Sequence, residues 1–266
     1  MSKRARVRGI EVAYDDAGAG AAVVFLHGFP FDRSMWREQV ESLRGAWRVV
    51  APDLRGHGET SVTDAPATME EMAEDLAALL DELEIERAVV AGLSMGGYVA
   101  LAFFRKHARR VRALILADTR AQADTDEARR TREETAGRTL RDGMEAIADA
   151  MLPKLLATAT RQKDSEVTTR VREMILRTNP RGAAAALRGM AVRRDQTEML
   201  PEIDVPTLIV VGSDDVITPP SNAEEMHALI KGSRLLKIEG AGHVSNLERP
   251  AEFNRALEEF LSSLDE

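Results

Sequence analysis

Short apolar runs alternate with longer amphipathic stretches through the first 120 residues and again near the C-terminus. Six of these runs have the length and apolar content of buried strands, at positions 22–26, 47–51, 88–91, 112–117, 207–211 and 234–238. Strands that alternate with helices in this way are typical of a parallel sheet with helices packed against it. The opening stretch, 7–14, predicts an antiparallel edge strand or a hairpin. The pattern therefore predicts an α/β protein.

Two helices are marked by capping signals. Thr68 and Glu71 have the hydroxyl-to-carboxylate spacing of a capping box, which predicts a helix over 69–83. Ser221, with a glutamate three residues later, repeats this spacing directly after two prolines. It predicts a second helix over 222–230.

The stretch 121–201 departs from the alternation, because it is helix-forming throughout and contains no run typical of a strand. It predicts a helical insertion, or cap, in a core domain formed by 1–120 and 202–266. Apolar side chains recur along it at helical spacing, which favours packing within the cap over direct contact with a substrate. They are Met144, Ile147, Met151, Leu152, Leu155, Met174 and Met190.

Composition narrows the classes of function. The 266 residues carry 36 Lys and Arg against 44 Asp and Glu, a net charge of -8, so no surface for nucleic acid is expected. The chain has no cysteine, which excludes disulfides, thiolate metal sites and a cysteine nucleophile. The basic N-terminus is not followed by an apolar stretch, and no run approaches the ~20 apolar residues that span a bilayer. These features predict a cytoplasmic protein that does not insert into membranes.

Residues 88–97 carry the most specific chemical signal. The apolar run 88–91 leads into Gly92-Leu93-Ser94-Met95-Gly96, a Gly-x-Ser-x-Gly motif, and a helix-compatible stretch follows. Such a motif places the serine on a tight strand-to-helix turn, where a β-carbon at either glycine would collide with neighbouring backbone. Ser94 is therefore the predicted nucleophile. The N–H of Met95, at the helix N-terminus, is expected to face the negative charge that develops in acyl transfer.

The loop after the run 22–26 contains His27-Gly28-Phe29-Pro30 and is expected beside this serine, at the carboxyl end of the sheet. The N–H of Phe29 is the predicted second donor of an oxyanion hole. His27 is interpreted as a hydrogen-bonding group that fixes the loop, not as a base.

A serine nucleophile needs a histidine base, and the chain has five histidines. His243 follows the run 234–238 in a Gly-Ala-Gly-His loop, which suits a tight turn that presents one side chain at the sheet edge. His57, His107 and His227 lie in a glycine-rich loop or on predicted helices, and are interpreted as structural or surface groups. His243 is therefore the predicted base.

The base in turn needs a carboxylate that holds its tautomer. Asp214 and Asp215 both follow the run 207–211, and Asp118 follows the run 112–117. Three carboxylates are thus expected at the same sheet edge, and from the residues alone all three remain candidates.

Four motifs together resemble the α/β-hydrolase superfamily, in its branch of small bacterial carboxylesterases, 3-oxoadipate enol-lactonases and perhydrolases. They are His27-Gly28-Phe29-Pro30, Asp53-Leu54-Arg55-Gly56-His57-Gly58, Gly92-Leu93-Ser94-Met95-Gly96-Gly97, and the pair Asp215 and His243 with the following Asn246-Leu247-Glu248-Arg249-Pro250. The resemblance implies a mostly parallel, eight-stranded sheet with a helical cap. It favours Asp215 as the acid, which gives a triad in the chain order Ser94, Asp215, His243.

The resemblance also implies a serine hydrolase that cleaves small esters or lactones through an acyl-enzyme, without a cofactor or a metal. The serine excludes the dehalogenases and epoxide hydrolases of this fold, which use an aspartate nucleophile. Perhydrolase or haloperoxidase-like activity would use the same triad, and a ligand-binding or signalling protein could keep the same fold. Both alternatives stay open.

Overall fold

The computed structural model describes residues 2–264, apart from the side chain of residue 165. Its strands are β1 (Lys3–Val7), β2 (Ile10–Ala17), β3 (Ala22–Leu26), β4 (Arg48–Pro52), β5 (Ala88–Leu93), β6 (Val111–Ala117), β7 (Thr207–Gly212) and β8 (Arg234–Ile238). They form one sheet in the order β1-β2-β4-β3-β5-β6-β7-β8. The pairs β1·β2 and β2·β4 are antiparallel and the others are parallel. The predicted mostly parallel, eight-stranded sheet is confirmed.

The opening segment is a hairpin, one of the two forms predicted for it. It is longer than the stretch 7–14, because β1 begins at Lys3 and β2 ends at Ala17. The two strands meet at a two-residue turn, Arg8 and Gly9, and both turn residues have positive φ, at 46° and 80°. This turn geometry matches the twist of paired strands, which explains the tight connection.

The central strands form the core of the molecule. All residues of β3 from Val23 to Leu26 are fully buried. A parallel strand covered by helices on both faces is expected to be apolar along its whole length, as these runs are. Leu26 lies opposite Gly92, and Gly92 lies opposite Leu116. The carboxyl ends of β3, β5 and β6 therefore share one edge of the sheet.

The helices between these strands are α1 (Arg37–Leu43), α2 (Met69–Glu82), α3 (Met95–His107) and α9 (Pro220–Leu229), and α10 (Ser245–Glu248) and α11 (Pro250–Ser262) follow the last strand. The capping box of α2 forms as predicted: Thr68 Oγ1 accepts the Glu71 N–H at 3.2 Å, and Glu71 Oε2 accepts the Thr68 N–H at 3.3 Å. None of the helices within residues 2–264 is both long and apolar enough to cross a membrane.

The second predicted capping box is wrong. The helix α9 begins at Pro220 instead of residue 222, and neither Ser221 nor any other side chain caps it. Proline is favoured in the first turn of a helix, because its fixed φ already suits the helix and its missing N–H has no partner there. The two prolines thus start the helix earlier and place Ser221 inside its first turn.

An all-helical segment lies between β6 and β7, and residues 121–201 are called the inserted segment below. Its helices are α4 (Asp126–Asp142), α5 (Glu145–Leu155), α6 (Thr158–Lys163), α7 (Ser165–Arg177) and α8 (Pro180–Ala191), followed by a 3₁₀ turn over Thr197–Glu202. The two ends of the segment meet, because the Gln196 N–H donates to the Ala121 carbonyl at 3.0 Å. Of its apolar side chains, Met144, Ile147, Leu155, Met174 and Met190 are buried, and Met151 and Leu152 pack partly buried against the core.

Candidate active site

Ser94 stands between the end of β5 and the first turn of α3. Its backbone has φ 53° and ψ −114°, a conformation that a residue with a side chain rarely adopts. Two hydrogen bonds hold it there: the Ser94 N–H donates to the Ala117 carbonyl at 3.0 Å, and the Thr119 hydroxyl donates to the Ser94 carbonyl at 2.8 Å. The strained turn is thus fixed by the neighbouring strand β6.

The two glycines of the motif are required by close backbone packing. A β-carbon at Gly92 would lie 2.2 Å from the Gly96 carbonyl oxygen, and one at Gly96 would lie 2.1 Å from the Leu26 carbonyl oxygen. Both distances are far below van der Waals contact. The predicted collisions are confirmed, and they explain why β3 can approach the serine turn so closely.

The structure brings Ser94, Asp215 and His243 together, although they lie on three different loops. His243 Nε2 is 2.8 Å from Ser94 Oγ, and His243 Nδ1 is 2.8 Å from Asp215 Oδ2. Because an ionised carboxylate can only accept, Nδ1 carries the proton and Nε2 is free to accept the serine proton. His243 and Asp215 are almost fully buried, and Ser94 retains 9% of its surface exposed.

The Asp215 carboxylate is saturated with donors. Oδ1 accepts the N–H groups of Ile217 at 2.8 Å and Thr218 at 3.0 Å, and Oδ2 accepts the Thr218 hydroxyl at 2.8 Å. Burial alone would raise the pKa of Asp215, but the charge and hydrogen bond of His243 and the Thr218 donors leave it below its ordinary value. Asp215 therefore stays ionised beside the imidazole.

The contact with Asp215 also determines the direction in which the pKa of His243 moves. Burial lowers the pKa of the imidazole, but the charge and the hydrogen bond of Asp215 outweigh it, so the pKa of His243 is raised. The imidazolium form is thus stabilised at the position where it would receive a proton.

The two other candidate acids bind different partners. Asp214 is exposed, and its carboxylate accepts the neighbouring Ser213 hydroxyl at 2.9 Å. Asp118 is fully buried and accepts the Gly212 N–H at 2.9 Å and the Ser245 hydroxyl at 2.6 Å. Burial, together with the charge of Asp215, raises the pKa of Asp118 to about 7. Asp118 links the end of β7 to the loop that follows His243.

Two backbone amides lie on the loops that flank the serine. Met95 is the first residue of α3, and Phe29 follows β3 in the adjacent loop. Within residues 2–264 neither N–H donates a hydrogen bond to another group of the protein. Unsatisfied buried N–H groups are rare, so these two amides are available to an acceptor brought by a ligand.

The remaining histidines are held away from this arrangement. His27 Nε2 accepts the Leu54 N–H at 2.9 Å, a loop-fixing hydrogen bond of the kind predicted. His57 is fully buried, and burial and the neighbouring His27 lower its pKa to about 3. His107 lies 3.2 Å from a glutamate carboxylate and His227 lies 2.8 Å from a serine hydroxyl. In the described residues no cluster of three His, Asp or Glu side chains could hold a metal ion.

Two side chains of the site are not among the predicted functional residues. Thr218, which with Pro219 follows the acid in the motif that resembles the family's, donates its hydroxyl to the Asp215 carboxylate. Glu248 belongs to the stretch 246–250 that follows His243, and it is 6% exposed. Burial raises the pKa of Glu248, against the opposing effect of its hydrogen bonds. The available signal for Glu248 was its place in the motif that follows His243. Charged side chains are almost never fully buried unless they have partners, and Glu248 has them.

This geometry can activate a hydroxyl. The imidazole can remove the Ser94 proton, Asp215 can stabilise the imidazolium, and two free amides lie at the serine's flanks. The parts required for nucleophilic attack on a carbonyl carbon are therefore in one place.

Comparisons with known proteins agree with this fold. A family model described as the alpha/beta hydrolase fold matches residues 21–250. A thermophilic esterase from Thermogutta terrifontis, solved with malate bound, has a TM-score of 0.96 and 43% identity over 99% of both chains. The enol-lactonase from Burkholderia xenovorans has a TM-score of 0.92 and 31% identity over 98% of this chain and 100% of its own. A Bacillus subtilis protein named as a candidate 2-succinyl-6-hydroxy-2,4-cyclohexadiene-1-carboxylate synthase is 33% identical over 96% of each chain. The chain therefore belongs to the α/β-hydrolase family.

Proposed function

We propose that this protein cleaves small carboxylic esters or lactones through an acyl-enzyme formed on Ser94. The observation that carries the proposal is the continuous hydrogen-bond chain from Ser94 Oγ through His243 to Asp215, with both links at 2.8 Å. Similarity to an esterase and to an enol-lactonase supports this substrate class.

In the proposed mechanism Ser94 Oγ attacks the carbonyl carbon and His243 Nε2 takes its proton. The carbonyl oxygen becomes negatively charged and accepts the N–H groups of Phe29 and Met95, which have no other partner. The C–O bond to the alcohol then breaks, and His243 returns the proton to the departing oxygen. Water attacks the acyl-enzyme by the same route in reverse, with His243 again as the base, and Ser94 is released.

The inserted segment supports a preference for small acyl groups. In this proposal it acts as a cap: its backbone at Leu155 accepts the His243 N–H at 2.9 Å, so it lies directly beside the base. Ser94 is only 9% exposed under this cover. We therefore expect turnover to fall as the acyl chain of p-nitrophenyl esters lengthens. Fastest turnover of long-chain triglycerides would contradict this expectation.

The primary test compares the wild-type protein with Ser94→Ala on p-nitrophenyl acetate and on a small lactone. The wild type is expected to hydrolyse both, and the variant is expected to fall to background. Ser262→Ala, which removes an exposed hydroxyl at the end of α11, is the matched control and should retain full activity. A fluorophosphonate probe should label the wild type and not the Ser94→Ala variant. Equal background rates for all three proteins would favour a binding function.

A further inference from the structure

A buried carboxylate joins the loop of His243 to the inserted segment. Glu248, the last residue of α10, accepts the Gly242 N–H with Oε1 at 2.7 Å and the Ala157 N–H with Oε2 at 3.0 Å. Gly242 is the residue directly before His243, and Ala157 connects α5 to α6. One side chain thus holds two backbone segments that are distant in the chain.

The same two segments are in direct backbone contact. The His243 N–H donates to the Leu155 carbonyl at 2.9 Å. A β-carbon at Gly242 would lie 2.7 Å from the Ala157 nitrogen, so no side chain fits between them. Movement of residues 155–157 would therefore remove the acceptor of the His243 N–H. It would also remove one of the two backbone donors that orient the Glu248 carboxylate, whose other oxygen accepts the Gly242 N–H.

The other side of the base is held independently of the inserted segment. Ser245 donates its hydroxyl to Asp118 at 2.6 Å, which ties it to the end of β6. The loop that carries His243 is thus held by Asp118 on one side. On the other side it is held by a contact that includes the inserted segment. Of the two carboxylates, Asp118 and Glu248, it is Glu248 that accepts a hydrogen bond from the inserted segment.

We propose that Glu248 is a positioning residue, which holds the imidazole of His243 at Ser94 by locking residues 155–157 of the inserted segment against the His243 loop. The inference rests on the proposed function, because it assigns the seating of the segment a role in catalysis. A purely structural carboxylate would stabilise the fold without any effect on the base.

The first test is Glu248→Gln in the full chain. Glutamine keeps the shape but offers one acceptor oxygen, and its NH₂ opposes the second N–H donor. A displacement of about 1 Å can cost on the order of 100-fold in rate, so kcat is expected to fall about 10- to 100-fold with KM changed less than about threefold. Fluorophosphonate labelling of Ser94 should slow in parallel, and the inflection of kcat/KM against pH should shift, because both report the Ser94–His243 pair.

The second test removes the donor on the other side. Ala157→Pro replaces the N–H that Glu248 accepts with a ring carbon, which deletes the hydrogen bond and pushes Glu248 away from residue 157. The dihedral angles themselves permit proline, since Ala157 has φ −56° and ψ 146° and Leu156 has φ −112° and ψ 142°. The same loss of kcat is expected. The double variant should lose little more than either single variant, because both changes break the same contact, between Glu248 and residue 157. If Glu248→Gln does not fold, Ala157→Pro decides the question alone.

The control is Glu71→Gln, which removes the carboxylate of the α2 capping box. Glutamine can still accept the Thr68 N–H, so only the favourable negative charge at the helix N-terminus is lost and the midpoint of thermal unfolding should fall slightly. The kcat, the pH profile and the labelling rate should stay at wild-type values. The proposal is overturned if Glu248→Gln behaves in the same way, or if the two losses add in the double variant. Failure of the proposed function looks different, because the wild-type protein itself would then show no Ser94-dependent hydrolysis.

Discussion

Replacement of Asp215 by asparagine tests the proton arrangement of the site. The carboxylate accepts four hydrogen bonds: two backbone N–H groups on Oδ1, and the Thr218 hydroxyl and His243 Nδ1 on Oδ2. If the new NH₂ faced the two amides, it would leave both unsatisfied, at about 1–3 kcal/mol each. The NH₂ will therefore face His243, where the Thr218 hydroxyl can rotate to accept from it.

That orientation of the amide changes which nitrogen of the His243 imidazole carries the proton. The amide of Asp215→Asn would donate to Nδ1, so the proton must move to Nε2, which can then no longer accept from Ser94. An acid-to-amide change in the triad of a serine protease lowers kcat about 10⁴-fold, and we expect a loss of similar size here. Such a loss corresponds to about 5 kcal/mol of transition-state stabilisation, at about 1.4 kcal/mol per factor of ten.

The assay is steady-state hydrolysis of p-nitrophenyl acetate, with circular dichroism as a check that the fold is retained. Asp214→Asn is the matched control, since it makes the same change on the adjacent exposed residue and should stay within about twofold of wild type, as surface changes do. Retention of more than a tenth of the wild-type activity by Asp215→Asn, or an equal loss in Asp214→Asn, would refute this reasoning.

Three further predictions concern the base, the serine turn and a helix cap. Because Asp215 raises the pKa of His243 above its ordinary value of about 6.5, kcat/KM should increase with pH through an inflection above that value, and a pH–rate profile with its midpoint well below it would contradict this. Gly96→Ala places a β-carbon 2.1 Å from the Leu26 carbonyl oxygen and should cost more than about 4 kcal/mol in urea unfolding, whereas Gly45→Ala, which meets no atom within 4 Å, should stay within about 0.5 kcal/mol. Thr68→Ala removes the N-cap of α2 and should lower the free energy of unfolding by about 1 kcal/mol with no change in kcat, and an unchanged unfolding midpoint would show that the cap contributes nothing.

The parallel strands and the roles expected of Ser94 and His243 could be predicted because each depends on a local signal. Buried parallel strands are apolar throughout, and a Gly-x-Ser-x-Gly sequence between a strand and a helix marks the serine turn. The choice between Asp214 and Asp215 did not follow from such a signal, since both carboxylates follow the same strand and only the path of the loop turns one inward. The resemblance to a family supplied the preference for Asp215.

The errors and omissions have a different physical origin. Ser221 has the spacing of a capping residue, but two prolines start the helix before it, so a strong backbone constraint overrides a weak side-chain preference. The contact that Glu248 makes could not be predicted, because its partner Ala157 lies 91 residues away in the chain. Hydrogen bonds to backbone groups leave no trace in the identity of the partner residue. The boundaries of the five helices in the inserted segment could not be predicted either, because the composition of that segment is helix-forming throughout.

The hydrogen bond between Gln196 and Ala121 has a consequence for the evolution of specificity. A stretch that leaves and re-enters a scaffold at one place can be replaced by recombination without any change in the strand order, so foreign segments grafted at these two positions should leave the sheet and the Ser94 turn intact. If the proposed function holds, a library of such chimeras would vary the substrate preference while the core residues of the site stay the same. To hold the His243 loop as well, each donor segment would have to supply an amide N–H for Glu248 and a carbonyl for the His243 N–H, which gives a simple rule for choosing the grafts.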